Sequence, residues 1–163
     1  MNIKFRQTTK EDLAAIGGIL KPYIEKTTNN FHFKPLNKAA LKKILLPAAE
    51  RYKTFSIVFD EKIIGFTIVM QYKNRAAYDR SCEVAVYLTE EFCGRGIGKQ
   101  ALAFIEKQAG EAQFHCLIAT ICGDNIPSIR LFEKAGYEKC GHFKEVGYKF
   151  NRYLDVIAYQ KIL

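Results

Sequence analysis

The chain has 163 residues, with 25 Lys and Arg against 17 Asp and Glu and a formal net charge of +8. Apolar residues make up 48% and charged residues 26%, the balance of a globular chain that buries about two-thirds of its unfolded surface in one domain, residues 1–163, without covalent staples. No apolar run approaches the ~20 residues needed to cross a bilayer, and the opening MNIKFRQTTKEDL is too polar for a secretion signal, so no membrane partner and a cytoplasmic location are expected.

The five cysteines, Cys82, Cys93, Cys116, Cys122 and Cys140, lack C-x-x-C pairs, and His32, His115 and His142 are scattered. Reduced thiols and no metal site follow. The positive charge fits either nucleic acid or a polyanionic cofactor; the basic residues form no dense run and no nucleic-acid motif accompanies them, so no nucleic-acid partner is expected.

In chain order, alternation in NIKFRQ predicts a first strand with Ile3 and Phe5 on one side. Thr9 and Asp12 form a capping-box pattern ahead of a helical stripe of Leu13, Ile16, Leu20, Tyr23 and Ile24. TTNNFHFKP has no periodicity and reads as a loop. A second helix is predicted from about Asn37 to Arg51, with Asn37 as cap and Leu41, Ile44 and Leu45 inward. TFSIVFDEKIIGFTIVMQY reads as two strands joined around Asp60 and Glu61, and CEVAVYL as another strand.

FCGRGIGKQAL follows, with Gly94, Gly96 and Gly98 at alternate positions just where Ile97, Ala101, Leu102, Ile105 and Ala109 begin a helical stripe. Glycines let the N–H groups of a tight turn converge, and a helix N-terminus adds a partial positive charge of roughly half a unit, so the segment suits a phosphate or pyrophosphate. Arg95 and Lys99 flank it. A Walker A loop is excluded twice, by Cys93 where glycine is required and by Gln100 where the hydroxyl belongs. The dinucleotide fingerprint is met by Gly96, Gly98 and Ala101, but the next strand ends in Cys122 and Gly123 rather than a ribose-binding acid. That strand is FHCLIATI; IPSIRLFEKAG then reads as a short helix ended by Gly136, and the remainder as two long strands broken near Asn151. The order β, α, α, β, β, β, α, β, α, β, β describes an α/β fold, a mixed sheet with one parallel β-α-β unit and helices on both faces.

RAAYDRSCEVAVYL, GRGIGKQAL, GDNIPSIRLFEKAGY and VGYKFNRYLDV, in that order, resemble the GNAT N-acetyltransferases and, within them, the branch that includes phosphinothricin N-acetyltransferase; TTNNFHFKP resembles that branch's substrate loop. The resemblance implies a central, mostly antiparallel mixed sheet, acetyl-CoA as cosubstrate, a homodimer, and acetyl transfer by direct attack of a primary amine on the thioester. The expected substrate is a small molecule, an amino acid or an analogue such as phosphinothricin or methionine sulfone. It implies a pyrophosphate cradle of Arg95, Gly96, Ile97, Gly98 and Lys99, a strand Val86, Tyr87 and Leu88 that pairs with the pantetheine arm, and cofactor contacts from Asn125 and Ser128. Glu83 stands at the branch's acidic position, as base for an amine that arrives protonated. Arg75 and Tyr78 match positions that bind the substrate carboxylate, for which a guanidinium's paired donors are suited, and Phe31 is placed as a pocket wall. The sequence departs from the pattern at Cys93, where the family has Arg or Gln, at Asn151 and Tyr153, and at Phe132, where it has a Tyr or His able to donate a proton. A sensor domain that binds acetyl-CoA without turnover, and an acetyltransferase for a protein or peptide amine, are the alternatives.

Overall fold

The computed structural model describes residues 2–163. Strands β1 (Lys4–Gln7), β2 (Thr54–Phe59), β3 (Lys62–Gln71), β4 (Ser81–Leu88), β5 (Cys116–Cys122), β6 (Glu138–Lys149) and β7 (Arg152–Ile162) form one sheet in the order β1-β2-β3-β4-β5-β7-β6. Only β4 and β5 run parallel. Helices α1 (Leu13–Lys26) and α2 (Lys38–Leu45) lie on one face, where Leu13, Ile16, Leu41 and Leu45 bury against Phe66 and Ile68. Helices α3 (Ile97–Glu111) and α4 (Ile126–Lys134) cover the other, with Leu102, Ile105 and Phe132 against Val84, Leu117 and Ile157. Among the described residues no helix is long and apolar enough to cross a membrane.

The element order matches the sequence reading, with three corrections. The second helix stops at Leu45 instead of Arg51: Pro47 has no N–H to continue the ladder and pushes the residue before it out of helical geometry. Ile44, expected inward, is 36% exposed, because eight residues turn only Leu41 and Leu45 onto the sheet. The first helix is also entered through a tight turn, Lys10–Asp12, rather than directly. Both hairpin turns fall where expected. Asp60 and Glu61 (φ 46° and 60°) and Phe150 and Asn151 (φ 51° and 59°) take the left-handed pairs that match the twist of antiparallel strands.

Asp12 ties the first three elements together. It is 4% exposed and accepts both guanidinium nitrogens of Arg6 at 2.6 and 2.8 Å, the Thr9 N–H at 2.9 Å and the Ser56 hydroxyl at 3.1 Å. The Arg6 bonds, then those of Thr9 and Ser56, hold its carboxyl below the ordinary range against the opposing cost of burial. A carboxylate with a depressed folded-state pKa stabilises the fold fully above its unfolded pKa of about 4, and that contribution is lost as pH falls through the depressed value. Asp12→Asn is therefore expected to cost about 2–4 kcal/mol in urea unfolding at pH 7, the range for breaking a buried charged hydrogen-bond set, with the gap to wild type narrowing in acid. Coincident unfolding curves at pH 7 would contradict this role.

Candidate functional site

The site begins where a sheet contact ends. β4 and β5 pair only through Ser81, Cys82 and Glu83 against Cys116, Leu117 and Ile118; beyond them β4 follows β3 and β5 follows β7, so the sheet opens into a fork. The Thr89 N–H donates to the Ile64 carbonyl at 2.8 Å, which fixes the alternation of the β3–β4 ladder. By that alternation Val84, Val86 and Leu88 turn their main-chain groups away from β3 and into the fork, whereas Tyr87 bonds toward β3. The Leu88 carbonyl accepts the Tyr23 hydroxyl at 2.6 Å. On the fork side Val86 has no strand beside it, while β3 runs along its other side.

A cleft of about 480 Å³ fills the fork. At its mouth Gly94 and Gly96 have φ of 72° and 80°, and α3 starts immediately after, so the turn's N–H groups and the helix N-terminus face the same space. Gly98 and Lys99 also line it. Ile97 is 1% exposed, so only its main chain is available. Arg95 is exposed, with its guanidinium 5.5 Å from the centre of the Phe92 ring, and lies outside the lining. On the opposite wall Asn125 caps α4 by accepting the Ser128 N–H at 3.2 Å, and both residues border the cleft. Two helix N-termini therefore converge on one elongated, partly apolar slot, a donor set that fits a pyrophosphate with an amide-bearing arm running along β4.

A second cavity, about 370 Å³, adjoins the first and shares Val84, Ala85, Tyr87, Thr120 and Cys122 with it. Glu83 lines this second cavity, as do Asn29, Asn30 and Phe31 from the loop after α1. The Thr120 hydroxyl donates to Glu83 Oε1. Burial pushes the Glu83 carboxyl up and the Thr120 bond pulls it down, so burial wins and the group sits above the usual carboxylate range. Tyr87 stacks on Phe66, with ring centres 5.1 Å apart, and its hydroxyl accepts from Asn30 Nδ2 at 3.4 Å. Burial, chiefly, raises its pKa as well.

The structure thus brings Glu83, Val86, Gly96, Gly98, Lys99, Asn125, Ser128 and Phe31 around two connected cavities. Arg75 and Tyr78 are in the loop between β3 and β4 and line neither; Tyr78 packs edge-on against Tyr72 at 5.5 Å. Phe132 is 3% exposed and borders the cleft, a wall without a proton to give. Sequence reasoning missed Thr120 and Tyr23. Thr120 is separable from its strand only through the parallel register Glu83↔Ile118, which puts it two residues along on the same face; Tyr23 had been read as one more member of an apolar stripe. Among the described residues no cluster of His, Cys, Asp and Glu has metal-holding geometry.

The model of the acetyltransferase (GNAT) domain matches residues 5–158. The chain belongs to the GNAT family. As a GNAT enzyme it is an acetyl-CoA-dependent N-acetyltransferase. It is 28% identical to the phosphinothricin N-acetyltransferase of Streptomyces coelicolor, over 99% of this chain and 96% of that one. It is 25% identical to the L-methionine sulfoximine/L-methionine sulfone acetyltransferase of Pseudomonas aeruginosa, over 98% and 94%. The crystal structure of a GNAT superfamily phosphinothricin acetyltransferase from Sinorhizobium meliloti in complex with acetyl-CoA superposes with a TM-score of 0.92 at 27% identity, covering all of this chain (100%) and 89% of that one.

Gly96 tests the cradle. A β-branched side chain at φ 80° costs at least ~1–2 kcal/mol locally and turns the first N–H groups of α3 off the cleft. Gly96→Val is expected to weaken acetyl-CoA binding in calorimetry by about tenfold or more, the equivalent of 1.4 kcal/mol. Unchanged affinity would remove the loop from the binding site.

Proposed function

We propose that the enzyme acetylates the primary amine of a small α-amino acid or amino-acid analogue, of the kind represented by phosphinothricin and methionine sulfoximine or sulfone, with Glu83 as the base. The observation that carries this is the half-buried Glu83 carboxylate, which lines the smaller cavity and accepts from the hydroxyl of Thr120, a residue that borders both cavities. The names of the full-length relatives support the substrate class.

Bound acetyl-CoA supplies an activated acyl carbon and a thiolate leaving group. The pyrophosphate lies against the N–H groups of Gly96, Ile97 and Gly98, with Lys99 and Arg95 adding positive charge and Asn125 and Ser128 closing the opposite side. Val86, with Leu88 beyond it, pairs with the pantetheine arm, and the Val86 N–H, unopposed by any strand, is the donor for the thioester carbonyl. Glu83 takes a proton from the substrate ammonium, directly or through one water, and the neutral nitrogen attacks. A raised carboxyl pKa brings the base closer to the operating pH, which favours that transfer. Phe132 gives the leaving sulfur no proton. A thiol's ordinary pKa of about 8.5 makes the free thiolate a tolerable leaving group; as the adduct collapses, the second nitrogen proton is lost to solvent, which in turn protonates the sulfur.

Arg75 and Tyr78 line neither cavity in this structure, and the assignment of Arg75 as carboxylate anchor, with Tyr78 shaping the same end of the site, rests on where their loop begins. Their loop leaves β3 just after Met70, which lines the amine cavity opposite Glu83 in the β3–β4 register. We also propose a homodimer through β6, an edge strand paired on one side with β7, where Phe143, Val146 and Tyr148, with Phe150 in the following turn, are all more than half exposed. Unpaired thiols at all five cysteines suit a single domain working in the reducing cytoplasm.

Glu83→Gln is expected to lower kcat by about 10²–10⁴ with acetyl-CoA affinity retained. Turnover near wild type would exclude Glu83 as base. Thr120→Val leaves burial unopposed, so the Glu83 pKa rises further and the acid limb of the kcat/KM profile moves to higher pH; an unmoved limb would separate Thr120 from the titrating group. Arg75→Gln is expected to raise KM for a carboxylate-bearing amine by about tenfold and leave KM for its carboxamide counterpart unchanged. Equal effects on both would remove Arg75 as the anchor.

A further inference from the structure

Lys149 is a charged residue in an unusual place. It ends β6 just before the Phe150–Asn151 turn, is 3% exposed, and has no carboxylate partner; its ammonium instead donates to three main-chain carbonyls. These are Ile24 at 2.6 Å, Thr27 at 2.8 Å and Asn30 at 2.6 Å. An ammonium has three N–H groups, and each is used. Two of the carbonyls belong to the last turn and exit of α1, where helical partners run out, and the third to the loop that walls the amine cavity. The loop's other hydrogen bonds are mostly local: the Thr27 hydroxyl donates to the Tyr23 carbonyl at 2.7 Å and accepts the Asn29 N–H at 3.1 Å, Asn30 Oδ1 accepts the His32 N–H at 2.9 Å, and Asn30 Nδ2 reaches across to the Tyr87 hydroxyl at 3.4 Å.

Two residues earlier on the same face, Gly147 carries the Phe31 ring. A Cβ on Gly147 would fall 2.5 Å from Phe31 Cε2 and 2.9 Å from Cζ, so the ring rests on bare backbone. The strand reaches this point through a bulge between Phe143 and Gly147, held where Asp155 Oδ1 accepts the Glu145 N–H at 2.9 Å and Asp155 Oδ2 meets His142 Nε2 at 2.6 Å. The β6 strand thus grips the loop at two points, by charge at Asn30 and by contact at Phe31, and both gripped residues line the amine cavity.

We propose that Lys149 is a positioning residue that sets the enzyme's amine specificity: without touching substrate, it and Gly147 hold residues 27–31 in the place that shapes the acceptor cavity. This rests on the reading of that cavity as the amine site. It places part of the substrate selection in the C-terminal hairpin, some 120 residues from the loop it controls.

The test combines hydrogen exchange with kinetics on Lys149→Met, which keeps the length and loses every donor. Amide exchange across residues 27–33 is expected to accelerate by about tenfold or more, KM for the amine to rise by a similar factor, and the acetyl-CoA Kd to stay within about twofold. Faster exchange with an unchanged amine KM, or a parallel loss of acetyl-CoA affinity, would overturn the specificity role and leave Lys149 a general support. Should Lys149→Met fail to fold, Gly147→Ala displaces the Phe31 ring at a position with ordinary φ; it is expected to change the ranking of small against bulky amines with acetyl-CoA binding intact, and an unchanged ranking would overturn the proposal. If wild type acetylates no amine, the reading of the cavity fails, while the exchange data still report whether Lys149 clamps the loop.

Discussion

Three residue pairs hold β4 to β5, and then the strands part. Most of the chemistry follows from that short contact. A parallel pair that continued would have consumed the main-chain groups of Val86 and filled the space between the helices; because it stops at Glu83, an edge is exposed inside the protein, where an amide-bearing ligand can take the place of a strand. Buried main-chain groups demand partners. In the proposed reading the fork is an incomplete sheet that the cosubstrate completes. The same divergence brings the N-termini of α3 and α4 to face one another, since each helix follows one of the separating strands.

Glu83 sits at the vertex of this fork. It is the last residue of β4 to have a partner on β5, so its backbone is fixed on both sides while its side chain looks into the space that the next residues vacate. Burial raises its pKa and Thr120, reaching across from β5, restrains that rise. A carboxylate on an ordinary paired strand would have either solvent or a salt bridge. Here it has one hydroxyl and a cavity, the setting that the proposed proton acceptor requires.

The glycine loop and the element order were legible in the sequence because each depends on local rules: alternate glycines before a helical stripe, turn residues between β-rich runs, Asn37 as a cap. The overlong second helix shows the limit of periodicity: the expected span to Arg51 runs past Pro47, which closes the helix at Leu45. The role of Glu83 needed the resemblance, since an acid in an alternating strand carries no local mark. What stayed hidden was non-local. Thr120 reaches Glu83 across 37 residues and Lys149 reaches Asn30 across 119. A lysine in a late strand reads as surface, and nothing in its neighbours tells that three carbonyls from the first helix and its loop will surround it. Arg75 shows the converse: its motif was legible, yet its side chain lies outside both cavities.

The central claim is that the forked cleft delivers an acetyl group to an amine held beside Glu83. Its most direct measurement is incubation of the purified enzyme with acetyl-CoA and matched sets of α-amino acids, their analogues and polyamines, with the acetylated products read by mass spectrometry so that five protein thiols do not interfere. The account predicts N-acetyl product from an α-amino acid or analogue, formed in proportion to the acetyl-CoA consumed. Acetyl-CoA bound with high affinity but no acetylated small amine would contradict it.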